Sequence, residues 1–344
     1  MTPITRRAAL ATGLALTTAL TAAPLFAQDR PVLRLSSVVS NNDIRAEAFA
    51  AIAEAVSAEF DLQVFNGATL VAQGTELIAM QRGNLEMGLV APQSIAEQVP
   101  EWSIVTSAYL FSDVAHMERT FDSEVGAELL ALAEGIGIHV LAPVYFGTRQ
   151  VNLKPEIEVR TPADLNGLTL RMPGGDAWQF LGSAIGANPT PLAYAEVYTA
   201  LQTGAIDGQD NPLPNDYNMR FYEVTSQIVM TGHLIGFDVL AISNDVWNGM
   251  TPEQQQLLQS AVDTAIAEST ERHLAREAEL VQFFQDQGLR VYEPDRDAFR
   301  AYAQARYLES EFAASWPEGM LEAINALAEE HPLRRAGRRG GASA

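Results

Sequence analysis

Two arginines and their neighbours offer this chain its clearest chemistry. Arg171 ends the apolar run Leu168-Thr169-Leu170 immediately before Met172-Pro173-Gly174-Gly175, and Arg149 follows Tyr145-Phe146-Gly147-Thr148. An arginine placed where a strand gives way to a Pro-Gly loop stands at the mouth of a sheet. Its planar fork of donors matches a carboxylate bidentately, most strongly when the pair is partly withdrawn from water. The competing reading is an ordinary ion pair, because in an acidic chain any arginine finds a carboxylate. Trp178, Phe180 and Tyr194 follow in sequence; such aromatics cover the apolar part of a ligand or simply fill a core. Tyr194, Val197, Tyr198 and Leu201 share helical spacing with Gly204 as the stop, so part of that set faces the interior.

Other chemistries find no footing. There is no HExxH, no G-x-S-x-G, no G-x-G-x-x-G and no D-x-[DN]-x-[DN]-G loop. The single lysine, Lys154, precedes Pro155, so no phosphate loop exists, and without cysteine there is no disulfide, thiolate metal site or thiol nucleophile. Asp207-Gly208-Gln209-Asp210-Asn211 gathers acids but lacks the further ligands that complete a metal shell. His233 stands alone and reads as a hydrogen-bonded core or pocket-edge residue. No metal and no cofactor is expected.

Composition narrows the partners. The 344 residues hold 22 Lys+Arg against 43 Asp+Glu, a net charge of −21. Nucleic acid and anionic membranes need clustered cations and are excluded. Residues 1–27 read as a secretory signal peptide. Arg6 and Arg7 form its positive start, Ala8 to Ala23 its apolar stretch, and Leu25-Phe26-Ala27 its cleavage site. Export by the general or the twin-arginine route are both open, and the mature chain is expected to insert no segment in a membrane.

The elements that must position the arginines alternate between strand and helix. Val32–Leu35, Leu62–Phe65 and Met87–Val90 read as short strands; a helix runs on from Ala46 and another covers Thr75–Arg82 up to Gly83. The same rhythm returns at His139–Val144 and continues to about residue 243. Such alternation predicts helix-covered sheets with ligands at the C-terminal strand ends. Thr251-Pro252-Glu253-Gln254 is a helix start, and no Gly or Pro follows Pro252 until Gly288. One bridging helix with apolar ends in two cores and a wet centre fits that run; two helices with an unmarked break are the alternative. Arg334 to Ala344 reads as a frayed basic tail.

The ordered blocks Gly147-Thr148-Arg149-Gln150, Asp164-Leu165-Asn166-Gly167-Leu168-Thr169-Leu170-Arg171-Met172-Pro173, Gly186-Ala187-Asn188-Pro189-Thr190-Pro191 and Glu196-Val197-Tyr198 continue into Asp207-Gly208-Gln209-Asp210-Asn211-Pro212 and Thr231-Gly232-His233. Together they resemble the DctP-type solute-binding proteins of TRAP transporters over essentially the whole mature chain. The resemblance implies an α/β fold of the two-lobed, type II-like periplasmic binding kind. Each lobe is a mixed sheet flanked by helices, and the long helix spans both. The implied boundaries are 28–148 plus about 237–270 for the first lobe, 149–236 plus about 271–330 for the second, and a flexible basic tail at 331–344.

It further implies a monomeric periplasmic receptor, not an enzyme, that hands a small carboxylate ligand to the membrane permease subunits of an ion-gradient-driven TRAP transporter. By resemblance Arg171 pairs with the carboxylate, Asn211 contacts the same region, the arginine of the family's G-T-R-Q block falls on Arg149, and Tyr194 packs on the ligand; Trp178 and Gln93 are expected as selectivity residues from this chain's own departures. The sialic-acid branch carries charges where this chain reads Val90-Ala91-Pro92-Gln93-Ser94. A smaller or more apolar acid than sialic acid is therefore expected. An exported enzyme acting on a carboxylate, or a binding protein feeding a sensor, are the alternatives.

Overall fold

A computed structural model of the chain describes residues 30–328; the signal peptide expected at 1–27 and the tail expected at 331–344 lie outside the described residues. Among the described residues nine strands form one hydrogen-bonded sheet: β1 (Val32–Ser36), β2 (Asp61–Phe65), β3 (Met87–Val90), β4 (Ile138–Leu153), β5 (Thr169–Met172), β6 (Asn188–Pro191), β7 (Gly208–Pro212), β8 (Gln227–Ser243) and β9 (Arg290–Tyr292). The order is β2-β1-β3-β8-β4-β7-β5-β6, with β9 beside β8. β1 pairs parallel with β2 and β3, and β5 parallel with β6 and β7, while β3–β8, β8–β4 and β4–β7 are antiparallel.

The short strands expected at β1, β2 and β3 are present, but the run expected at His139–Val144 is part of something longer. β4 has 16 residues and β8 has 17, far beyond the usual strand of 5–6. Their first-lobe ends join β3, and their other ends join β7 and β9, so both lobes hang on the same two strands. Alternate residues face opposite layers, as pleating requires: Val239 and Ala241 enter one first-lobe core with Trp102 and Phe121, and Leu240 and Ile242 enter another with Phe49 and Val262. Being covered on both faces, the pair reads as nearly continuous apolar sequence, which disguises its length.

Register shifts interrupt the β4–β8 ladder at Val140/Ala142, Tyr145/Gly147 and Arg149/Val151. At the middle break Gly147 faces Gly236, close to the boundary expected at 148/149. Gly147 has φ +122°, and a Cβ there would lie 2.5 Å from Pro212 Cβ and 2.9 Å from Glu277 Oε1. Only glycine fits both the backbone and the space.

The long helix is continuous from Pro252 to Asp286, 35 residues, opened by a Thr251–Gln254 capping box. At ~1.5 Å per residue it is roughly 50 Å long. Leu258, Val262, Ala265 and Ile266 pack in the first-lobe core, whereas Leu280 and Phe284 join Leu213 and Ile228 in the second. Its centre is polar but not wet throughout: Ser269, Thr270 and His273 are buried. Glu277 ties it to the crossing strands, accepting from the Tyr145 hydroxyl at 2.5 Å and the Thr148 amide at 2.7 Å. One boundary needs correction. The C-terminal run is expected from sequence to stay with the second lobe, yet Met320 and Ile324 pack into the first-lobe core with Trp102 and Met117. Helix Met320–Ala328 carries an apolar face that the 114–135 helices cover.

Candidate ligand-binding site

Between the lobes lies a cavity of about 560 Å³ whose lining includes Arg149, Arg171, Trp178, Tyr194 and Asn211. Five of the six residues singled out from the sequence thus meet at one place. Gln93 does not: it is buried, its Oε1 has no hydrogen-bond partner, and only its neighbours Ala91 and Ser94 reach the lining. Pro92 opens the helix Pro92–Ala96, and residue 93, the next in that turn, faces the interior.

The two arginines are held differently. Arg149 leaves β4 where the ladder shifts, and its guanidinium is held by Asp210. Nε donates to Asp210 Oδ2 at 2.6 Å, while Nη2 donates to Asp210 Oδ1 at 2.9 Å and to the Asp210 carbonyl at 2.6 Å. His233 donates from Nε2 to the same carboxylate at 3.0 Å, with its Nδ1 2.8 Å from the Thr231 hydroxyl. His233 is therefore the hydrogen-bonded interior residue expected of it, and Asp210 belongs to an ion pair rather than a metal shell; no metal-binding group of His and acids occurs among the described residues. Burial alone would raise the Asp210 pKa, but Arg149 and His233 outweigh it and hold the carboxyl far below the ordinary range. Trp178 lies under the Arg149 guanidinium, 4.7 Å from ring centroid to Cζ.

Arg171, on β5, is 1% exposed and pairs with no carboxylate among the described residues. Nε donates to the Leu192 carbonyl at 2.8 Å, and Nη2 has no partner at all. Burial, with Arg149 adding to it and Asp210 opposing, brings its pKa down to about 10, so it remains a cation at neutral pH. Tyr194 stands 5.8 Å from the Arg171 Cζ, its hydroxyl accepting from Asn215 Nδ2 at 3.0 Å. The Asn215 Oδ1 is a second buried atom without a partner, and it too belongs to a lining residue. Asn211 Nδ2 donates to Gln209 Oε1, and Gln209 is fixed in turn by Asn152 and Asp216. The second-lobe wall therefore offers one uncompensated cation surrounded by groups locked in place.

The first-lobe wall has no counterpart in the sequence reading. Arg45, Gln73, Glu76, Phe146 and Asp238 all line the cavity. Gln73 Oε1 accepts from the Tyr194 amide at 2.7 Å, joining the lobes at the rim. Glu76 accepts from the Gly74 amide at 2.8 Å, and burial, reinforced by Asp238, raises its pKa to about 7. The folded state thus keeps a proton that the unfolded chain, at 4.5, gives up. Stability from this group is fully present below about pH 4.5 and is lost as pH rises through 7. Glu76→Gln is expected to match the parent protein near pH 4.5. At pH 8 it should be more stable, by up to about 3 kcal/mol. Melting curves at the two pH values check this; equal offsets at both would refute it.

Residues 35–313 match the profile of the family described as bacterial extracellular solute-binding protein, family 7, the DctP family. The chain belongs to this family. Among its relatives is the sialic acid-binding periplasmic protein of Vibrio cholerae, 31% identical over 73% of this chain and 78% of that one. Another is the 2,3-diketo-L-gulonate-binding periplasmic protein of Escherichia coli, 30% identical over 79% and 83%. A TRAP periplasmic solute-binding protein of Roseobacter denitrificans, solved with bound 3-deoxy-D-manno-oct-2-ulosonic acid, is 47% identical with TM-score 0.86. It covers 87% of this chain and all of that one. The two-lobed α/β expectation is met by these neighbours, and the family is one of substrate-binding proteins. No helix among the described residues is long and apolar enough to cross a membrane.

Proposed function

We propose that this protein captures a small organic acid in the inter-lobe cavity, with the carboxylate on Arg171, and delivers it to the membrane subunits of a TRAP transporter. The observation that carries the reading is the buried Arg171 guanidinium with an unpartnered Nη2 and no acidic partner. A buried, unpaired charge costs several kcal/mol, and a ligand carboxylate is the group that would compensate it. Arg149, already neutralised by Asp210, orients the site through Trp178 rather than receiving the acid. Tyr194 and Asn211 complete the second-lobe contact. That relatives carry sialic acid, a diketogulonate or an octulosonic acid in their names supports an acid ligand.

The charged first-lobe wall argues against the smaller or more apolar acid expected from sequence. A thermal-shift screen of mono- and dicarboxylates, sugar acids and neutral sugars on the purified mature chain tests the proposal. Several degrees of stabilisation by one or a few acids, with no turnover, is the expected result. Stabilisation by a neutral sugar alone would overturn it.

A further inference from the structure

Arg45 opens the helix Ile44–Ala55, is 2% exposed, and sits beside the cavity with two carboxylates. Asp43, the helix N-cap, already satisfies it: Arg45 Nε donates to Oδ1 and Nη2 to Oδ2, each at 3.0 Å. A second acid, Asp238 on β8, nevertheless accepts from Nη1 at 3.0 Å through Oδ2. Its Oδ1 takes part in no hydrogen bond found among the described residues, and Asp238 lines the cavity. Burial raises the Asp238 pKa, with Arg45 and Arg149 opposing it. The Arg45 Cζ stands over the Phe146 ring, 4.4 Å from its centroid. Of the five guanidinium N–H groups, three are spent on these acids, leaving two. The wall thus sets the Arg45 guanidinium beside the Asp238 carboxyl, with the Glu76 carboxyl on the same lining.

We infer that Arg45 and Asp238, with Glu76, form a hydroxyl-reading subsite on the first-lobe wall, so that the ligand is a polyhydroxylated acid long enough to touch both lobes. The inference rests on the proposed carboxylate at Arg171 and extends it to the other end of the ligand. A hydroxyl both donates and accepts, and so answers an Arg–Asp pair at once; a carboxylate answers the arginine and is repelled by the acids. The ligand is thereby oriented, carboxylate toward the second lobe and hydroxylated tail toward the first. A short acid engages Arg171 alone.

The test compares two acids whose carboxylate is borne by a carbon at the ketone oxidation level, closed into a hemiketal ring in the first and open in the second. One is 3-deoxy-D-manno-oct-2-ulosonate, which carries a hydroxylated tail, and the other is pyruvate, which has none. Calorimetry, with displacement for the weaker acid, is run on the parent protein, Arg45→Met and Asp238→Asn. Asp238→Asn keeps the shape and serves if Arg45→Met fails to fold. In each variant the octulosonate should lose about 10- to 100-fold in affinity, the range for hydrogen bonds to charged groups, while pyruvate changes by less than about threefold. Equal losses for both acids would reduce Arg45 and Asp238 to scaffolding and overturn the subsite, as would no loss for either. A parent protein that bound pyruvate as tightly as the octulosonate would sink the subsite while leaving the carboxylate reading intact. Binding of neither acid would count against both.

Discussion

Replacing Arg171 by methionine should abolish ligand binding and leave the unliganded protein as stable as before, or more so. Truncating one partner of a buried charge pair costs about 2–5 kcal/mol of binding, or roughly 30- to 5,000-fold in affinity. The unliganded protein, by contrast, carries the Arg171 guanidinium with a single hydrogen bond to Leu192 and an unpartnered Nη2. Exchanging such a cation for an apolar side chain of similar length is neutral or stabilising, as with other buried ions. The two effects have opposite signs, which separates this residue from one that merely holds the fold. Paired melting curves with and without the acid found by the screen decide the matter. A variant that melts several degrees lower while keeping its ligand-induced shift would show Arg171 to be structural.

The second large effect belongs to Gly147. Alanine there would be strained by φ +122° and would set its Cβ 2.5 Å from Pro212 Cβ. Backbone strain of about 1–3 kcal/mol combines with overpacking of about 1–3 kcal/mol, so a loss of about 2–6 kcal/mol is expected. Gly167 supplies the control: its φ is +83°, and a Cβ added there would meet nothing within 4 Å. Gly167→Ala should cost only the conformational part, about 1–2 kcal/mol. Urea unfolding of both variants isolates the steric contribution at the strand crossing; equal losses would show that the crossing tolerates a methyl group.

How much of this was legible in the sequence depends on distance along the chain. Arg171 could be found because its signal is local: a strand run, an arginine, then Pro-Gly. The long helix announced itself through the Thr251–Gln254 cap and the absence of breakers. The Arg45–Asp238 pair could not be found, since its members are 193 residues apart and nothing near either one marks the other. Similarly, Asp207-Gly208-Gln209-Asp210 looks like a small acidic cluster until β7 pairs with β4 and sets Asp210 beside Arg149. Gln93 failed for the opposite reason. It lies in a short helix, Pro92–Ala96, that does border the cavity, but Ala91 and Ser94 reach the lining while residue 93 faces the interior. The length of β4 and β8 was hidden because a strand buried on both faces loses the polar alternation that would have outlined it.

The unbroken passage of β4 and β8 beneath the cavity has a mechanical consequence. Two plates joined along continuous strands move like the covers of a book, least at the spine and most at the free edge. Arg149 and Asn211 ride on β4 and β7 near the spine, whereas Gln73 and Tyr194, which lie outside the strands, meet across the gap between the covers. A probe at Gln73 would therefore register the angle between the covers, and one beside Trp178 would register the occupant. An acid held at both ends works as a tie rod: the nearer its second attachment lies to the edge, the less force it needs to keep the book shut.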